Sequence, residues 1–252
     1  MNYLRTNEDL PSQAYLQQFV VSPLTAWGAQ AYNSFYNGNA ALRGMDMTPG
    51  YNTVAQWNSD KVKQLMFHEL SHASHYSRVG QSWWNSFVYS EAYAIFANGI
   101  NSPNSPYGTG NDGLISDYIS LAESWAEHLG RTIADRVYGL NSTAFWGQQS
   151  MWYSNNQFIA GSSHVNYLEN FDPNNINDPF RWIPDGIYYD LVDARNEGAP
   201  VIDNVSGYTN QQLFNAMGSD VRSLPAYRER LLSQNNNNLA VQVNELFNSY
   251  HH

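Results

Sequence analysis

The sequence predicts a mainly α protein with at most a small β-sheet, folded as a single domain over residues 1–252. Three observations predict it. Residues 61–79 contain no Pro or Gly, and Val62, Leu65, Met66, Leu70 and Ala73 recur there at helical spacing. Leu114, Ile115, Tyr118, Leu121, Ala122, Trp125, Leu129, Ile133 and Val137 do the same over a longer stretch. Strand signals, meaning short alternating runs rich in β-branched residues, are few.

The elements follow in chain order. Residues 12–36 read as one or two helices, broken near Ser22-Pro23. Residues 40–55 are irregular, with Ala41–Met47 as a short strand. Asn58-Ser59-Asp60 offers N-cap side chains for a helix that runs to Gly80. A second helix, rich in Trp and Tyr, spans about 81–98. Residues 98–113 are dense in Gly, Pro, Asn and Ser and read as a loop. A long helix covers about 113–138, and residues 142–180 are mixed and aromatic-rich. The last third is helical at 185–195, at 209–217 with Thr209 as cap, at 223–234 and at 238–249. The Asn235–Asn238 run links the last two. No internal repeat and no domain boundary stands out.

Composition narrows the function. The formal net charge is −10, which makes nucleic acid a poor partner. Lys61 and Lys63 are the only lysines, while Asn, Ser, Gln and Tyr are plentiful. Such a neutral polar surface suits an exported protein, secreted, periplasmic or at the cell surface, whose leader has been removed; residues 1–7 do not read as a signal peptide. The absence of cysteine excludes disulfides and thiolate metal ligands. No stretch is long and apolar enough to span a membrane. His251 and His252 end the chain and carry no functional weight.

His68-Glu69-Leu70-Ser71-His72 is the segment that carries chemistry. Two histidines one helical turn apart lie on one face, so both imidazoles reach the same ion. The intervening glutamate can reach a water beside that ion without ligating it. Zinc takes such nitrogen donors in near-tetrahedral geometry and, in catalytic sites, keeps one position open.

A catalytic site needs a third protein donor. His75 lies on the same helix, but His68 and His75 are two turns apart, roughly 10 Å along the axis. His75 and Arg78 also stand where the extended H-E-x-x-H-x-x-G-x-x-H pattern needs Gly and the third His, which speaks against that pattern. Glu91, Glu123 and Glu127 remain as candidates; an ordinary partner for Glu127 is Arg131 at i+4.

With Leu121–His128, the motif resembles the gluzincins, the thermolysin-like clan of zinc peptidases. More narrowly, His68–Tyr76, Tyr107-Gly108, Leu121–Gly130 and Ile183–Asp193 resemble secreted bacterial zinc metallopeptidases. The resemblance implies a zincin-like helical core and one zinc ion held by His68, His72 and Glu123. It implies Glu127, four residues on, as the acid that orients a histidine ligand. Small residues at Ser124 and Ala126 would let the two helices approach. It also implies a Tyr or His from the downstream half to stabilise the oxyanion. The candidates are His164, Tyr167, Tyr188 and Tyr189, with Tyr188 favoured.

The expected function is zinc-dependent hydrolysis of a peptide or protein substrate, with Glu69 as general base. The alternative is a non-catalytic module on a zincin scaffold that binds a glycan or a protein. Two further features read as structural. Asp172–Asp178 is rich in oxygen donors but lacks a regular calcium loop, and reads as capped turns. Trp83-Trp84, and Trp146 with Trp152, read as core rather than as a sugar-stacking face.

Overall fold

The computed structural model describes residues 59–99, 102–138, 165–195 and 199–252, together with three short strands nearer the start of the chain. These are β1 (Leu16–Phe19), β2 (Ala31–Asn33) and β3 (Met45–Met47). They form one sheet in the order β1-β3-β2, with β3 parallel to β1 and antiparallel to β2. β2 and β3 pair in register, Ala31 with Met47 and Asn33 with Met45. This corrects the helical expectation for 12–36 at Leu16–Phe19 and Ala31–Asn33. Pairing with β3 decides their conformation, and such long-range pairing overrides local preference. The strand expected in 41–47 falls at Met45–Met47.

The rest of the described chain is helical, as the mainly α class requires. α1 (Ser59–Val79) is followed after Gly80 by α2 (Gln81–Asn98), and then by α3 (Leu114–Tyr138). Two single turns, α4 (Asn166–Glu169) and α5 (Ile187–Asp190), precede α6 (Asn210–Ala216), α7 (Leu224–Gln234) and α8 (Ala240–Ser249). The sheet lies alongside α1 through β2 and β3.

α3 is the central helix. It packs on α1, α2, α5 and α7, and a helix covered on all sides has no polar face to spare. Ile119, Trp125, Leu129 and Ile133 are fully buried on it. Its serines are satisfied locally: Ser120 Oγ donates to the Ser116 carbonyl at 2.7 Å and Ser124 Oγ to the Ser120 carbonyl at 2.6 Å. Trp125 Nε1 donates to Ser74 Oγ at 3.4 Å, tying α3 to α1.

The C-terminal helices start where their caps dictate. Thr209 and Gln212 form a capping box at α6, and Ser223 Oγ accepts from the Ala226 amide at α7. The helix expected over 185–195 is only the single turn α5. The carbonyls of Leu191 and Val192 accept from the Tyr208 and Gly207 amides, so they cannot extend a helix. In 172–180, Asp172, Asn175 and Asp178 accept from the amides of Asn174, Asn177 and Phe180, which are the expected capped turns. Residues 142–164, with Trp146 and Trp152, lie outside the described residues. Among the described residues no helix is long and apolar enough to cross a membrane.

Candidate metal centre

α1 carries His68, Glu69 and His72 into the interior, where each is buried. They belong to the buried face of α1 that runs from Gln64 through Ser71 and His75 to Val79. α3 supplies the facing residues, Glu123 and Glu127, also buried. The two helices touch at Gly130. A Cβ on Gly130 would stand 3.0 Å from the His68 Cβ and 3.2 Å from its Cα. Any larger residue there would push α1 back by a few tenths of an ångström, so the glycine favours the approach that brings the carboxylates of α3 within reach of the histidines. Ser124 and Ala126 are also fully buried on α3.

The ligand atoms of His68, His72 and Glu123 lie within 4.8 Å of one another. Glu123 sits between the rings: its Oε2 is 3.4 Å from His68 Nε2 and its Oε1 is 3.3 Å from His72 Nε2. Tetrahedral coordination with bonds of about 2.0–2.2 Å sets neighbouring donors roughly 3.3–3.5 Å apart. Each histidine nitrogen thus stands at ligand spacing from an oxygen of Glu123, and the chemistry of two imidazoles and a carboxylate fits zinc. His75 is not part of it. Its ring packs on Trp83 and Trp84, at centroid distances of 4.4 and 5.9 Å. Burial, with the neighbouring His72, pushes its pKa down to about 3.

Electrostatics bind the group together. Burial by itself would lower the His68 pKa. The hydrogen bond to Glu123 and the charges of Glu127, Glu123 and Glu69 outweigh it and raise the value to about 9. Burial by itself would raise Glu123, but the charge of His72 and hydrogen bonds from both histidines hold it well below the carboxylate range.

Behind the histidines lies a buried polar chain. Glu127 Oε1 is 3.6 Å from His68 Nδ1, the nitrogen turned away from Glu123. Its other oxygen accepts from Arg131 Nε at 2.6 Å. The Arg131 guanidinium lies 3.8 Å over the Tyr167 ring, and the Tyr167 hydroxyl donates to Asp185 Oδ2 at 2.7 Å. Glu127 thus meets both the histidine and its i+4 arginine. Burial, then the nearby charge of Glu127, raises Asp185 well above the carboxylate range. The i, i+4 pairing of Glu127 with Arg131 is the one expected from the spacing; nothing in the sequence marks Asp185 as the far end of this polar chain.

Tyr107 joins from the loop between α2 and α3. Its hydroxyl donates to Glu123 Oε2 at 2.9 Å, fixing the carboxylate from outside α3. The turn that positions it needs Gly108, whose φ is +87° and where an added Cβ would press on Asp112, Asn98 and Ala94. No periodicity marks such a contact; only the resemblance pointed to this loop.

Tyr188, the favoured oxyanion candidate, sits on α5. It is completely buried against Trp125, His128 and Tyr227, and its hydroxyl has no hydrogen-bond partner among the described residues. Burial pushes its pKa up. It is a core residue, because α5 packs its apolar side against α3. Tyr167 is committed to Arg131 and Asp185. Tyr189 stands near His128, with a ring distance of 6.4 Å. His164 lies outside the described residues.

Glu91, on α2, is not among the triad, but its charge is felt there. It makes no hydrogen bond and no ion pair with any described residue. Burial, then the charges of Glu123 and Glu69, raises its pKa well above the carboxylate range. A separate cleft of about 460 Å³ opens on the far side of α2, lined by Ser86, Tyr89, Leu114, Tyr118 and Arg222 among others; no triad residue borders it.

Comparisons with protein-family models, with curated proteins and with solved structures give no match.

Proposed function

We propose that the chain is an exported zinc-dependent peptidase of gluzincin type, in which His68, His72 and Glu123 hold one zinc ion and Glu69 is the general base. The observation that carries the proposal is the convergence of two imidazole nitrogens and a carboxylate at ligand spacing, with Glu69 buried between the histidines. When bound, zinc supplies Lewis acidity and brings the pKa of water toward neutrality.

The residues of the chain do the rest. Glu69 takes the proton of the attacking water and passes it to the leaving amine. The Glu127 carboxylate, 3.6 Å from His68 Nδ1, favours a proton there and leaves Nε2 facing Glu123. Arg131 holds Glu127 in that position, and Tyr107 holds Glu123. The surrounding apolar wall of Phe87, Trp84 and Trp83 limits water near the histidines.

The test compares the zinc-loaded parent with Glu69→Gln on mixed peptides. The variant should keep one zinc per chain and lose hydrolysis by several orders of magnitude. A parent that holds zinc yet cleaves no peptide or protein would favour the binding-module reading. Near-parental turnover in Glu69→Gln would exclude Glu69 as base.

A further inference from the structure

The cleft on the far side of α2 is built from three segments: α2 itself, the first turns of α3, and the stretch between α6 and α7 that brings Arg222. At about 460 Å³ it is within the size range of small-ligand sites. One cation sets its sign. No acidic residue lines it, although Asp and Glu outnumber Lys and Arg by 22 to 12 in the chain. Arg222 is exposed and makes no hydrogen bond or ion pair with any described residue. The neutral polar groups come in both senses. Ser86 Oγ and Ser90 Oγ donate to the carbonyls of Ser82 and Ser86, at 3.3 and 2.9 Å, which leaves each hydroxyl oxygen to accept. Asn85 Oδ1 accepts from Gln81 Nε2 at 2.6 Å, which leaves the Asn85 amide nitrogen to donate. Tyr89, 65% exposed, stands at the rim. It begins an aromatic stripe that leads out of the cleft along α2. Tyr93 follows one turn on, with ring centroids 6.4 Å apart and planes 30° from parallel, and then Phe96; all three are exposed.

We propose that this cleft and the stripe beside it bind an acidic polysaccharide, with a uronic-acid ring in the cleft. The proposal is independent of the metal centre and of the peptidase reading. A sugar ring has apolar C–H faces that lie flat on exposed tyrosine rings, and hydroxyls that each donate and accept. The serine oxygens and the Asn85 amide answer those hydroxyls in both senses. The carboxylate of a uronic acid matches the planar fork of Arg222, the one charge that the cleft carries. An acidic peptide would satisfy the arginine alone and leave the serines and the rings unused. Tyr93 and Phe96 lie beyond the cleft, so the ligand is a run of sugar rings rather than a single one.

Calorimetric titration of the full chain tests this with four ligands: tetragalacturonate, its uncharged methyl ester, monomeric galacturonate and tetraglutamate. The proteins are the parent, Arg222→Gln and Tyr93→Ala, both changes falling on exposed side chains. The parent should bind tetragalacturonate at least about tenfold more tightly than the ester, as the loss of a charged hydrogen-bond pair requires. It should bind the monomer and tetraglutamate more weakly still. Arg222→Gln should bring tetragalacturonate down to the affinity of the ester. Tyr93→Ala should bring it toward that of the monomer and keep the preference for acid over ester. Parent with and without zinc should bind alike. Absence of binding to tetragalacturonate, equal binding of acid and ester, or tetraglutamate bound as tightly as the sugar would each overturn the proposal. So would a monomer bound as tightly as the tetrasaccharide, an unchanged affinity in either variant, or binding that requires zinc. None of these outcomes bears on peptide cleavage, which Glu69→Gln tests separately.

Discussion

Each residue of the triad has a different number of supports, and this sets what its loss should do. His68 is held from both sides, by Glu123 at Nε2 and by Glu127 at Nδ1. His72 has its Nε2 on Glu123, while its Nδ1 is buried with no hydrogen-bond partner among the described residues. Two remaining donors cannot keep zinc against water, so His72→Ala and Glu123→Ala should each lose tight binding, read by metal analysis after dialysis. Glu127→Ala leaves all three donors in place. Affinity should then fall by roughly 10–100-fold, as when the partner that orients a ligating histidine is lost. If Glu127→Ala strips the metal as completely as Glu123→Ala, the two glutamates have been assigned the wrong way round.

At the scale of elements, the site depends on how closely α1 and α3 approach. Gly130→Ala tests this. Better helix propensity contributes about 0.5–1 kcal/mol in its favour. Against that, the methyl meets the backbone of α1 at His68, and overpacking of this kind costs about 1–3 kcal/mol. Stability alone is therefore an insensitive readout. Zinc affinity is the sensitive one, because any retreat of α1 separates His68 from Glu123; it should fall at least about tenfold. An unchanged affinity would mean that the helices yield elsewhere.

The same scale shows what could be read in advance. α1, α2, α3 and the capped helices α6 and α7 were legible because periodicity and caps are local. The spacing of His68, Glu69 and His72 is also local. The strands β1 and β2 were misread because their conformation comes from pairing with β3. The burial of Tyr188 was not legible, because nothing in Ile187–Asp190 says which way a single turn faces. Tyr107 meets Glu123 across a loop, and Arg131 is buried because α3 is covered on every side. Neither fact is written in the neighbouring residues.

For the whole molecule, the clearest consequence concerns acid. His75 and His128 are buried and neutral. Burial with His72 nearby takes His75 down to about 3. Burial with Arg136 outweighs the Asn210 bond and takes His128 down to about 4. An unfolded chain protonates both near pH 6.5, whereas the folded one refuses the protons. The stability they contribute is thus present above about pH 6.5 and is lost as pH falls toward 4, at up to about 1.4 kcal/mol per pH unit for each histidine. His75→Phe keeps an aromatic ring against Trp83 and removes one such group. Denaturant unfolding of the metal-free protein should then show a shallower decline between pH 6 and 4 than the parent, and parallel declines would refute the account.

The contact between Gly130 and His68 also bears on which ions the protein can accept. Two helices already at van der Waals distance leave no slack for the donors to spread. Calcium needs six to eight oxygen ligands at about 2.3–2.6 Å, and a pair of imidazoles with one carboxylate on a fixed frame offers neither the number nor the room. A site of this donor set on a frame held close at Gly130 would therefore disfavour calcium through both its few donors and its limited room.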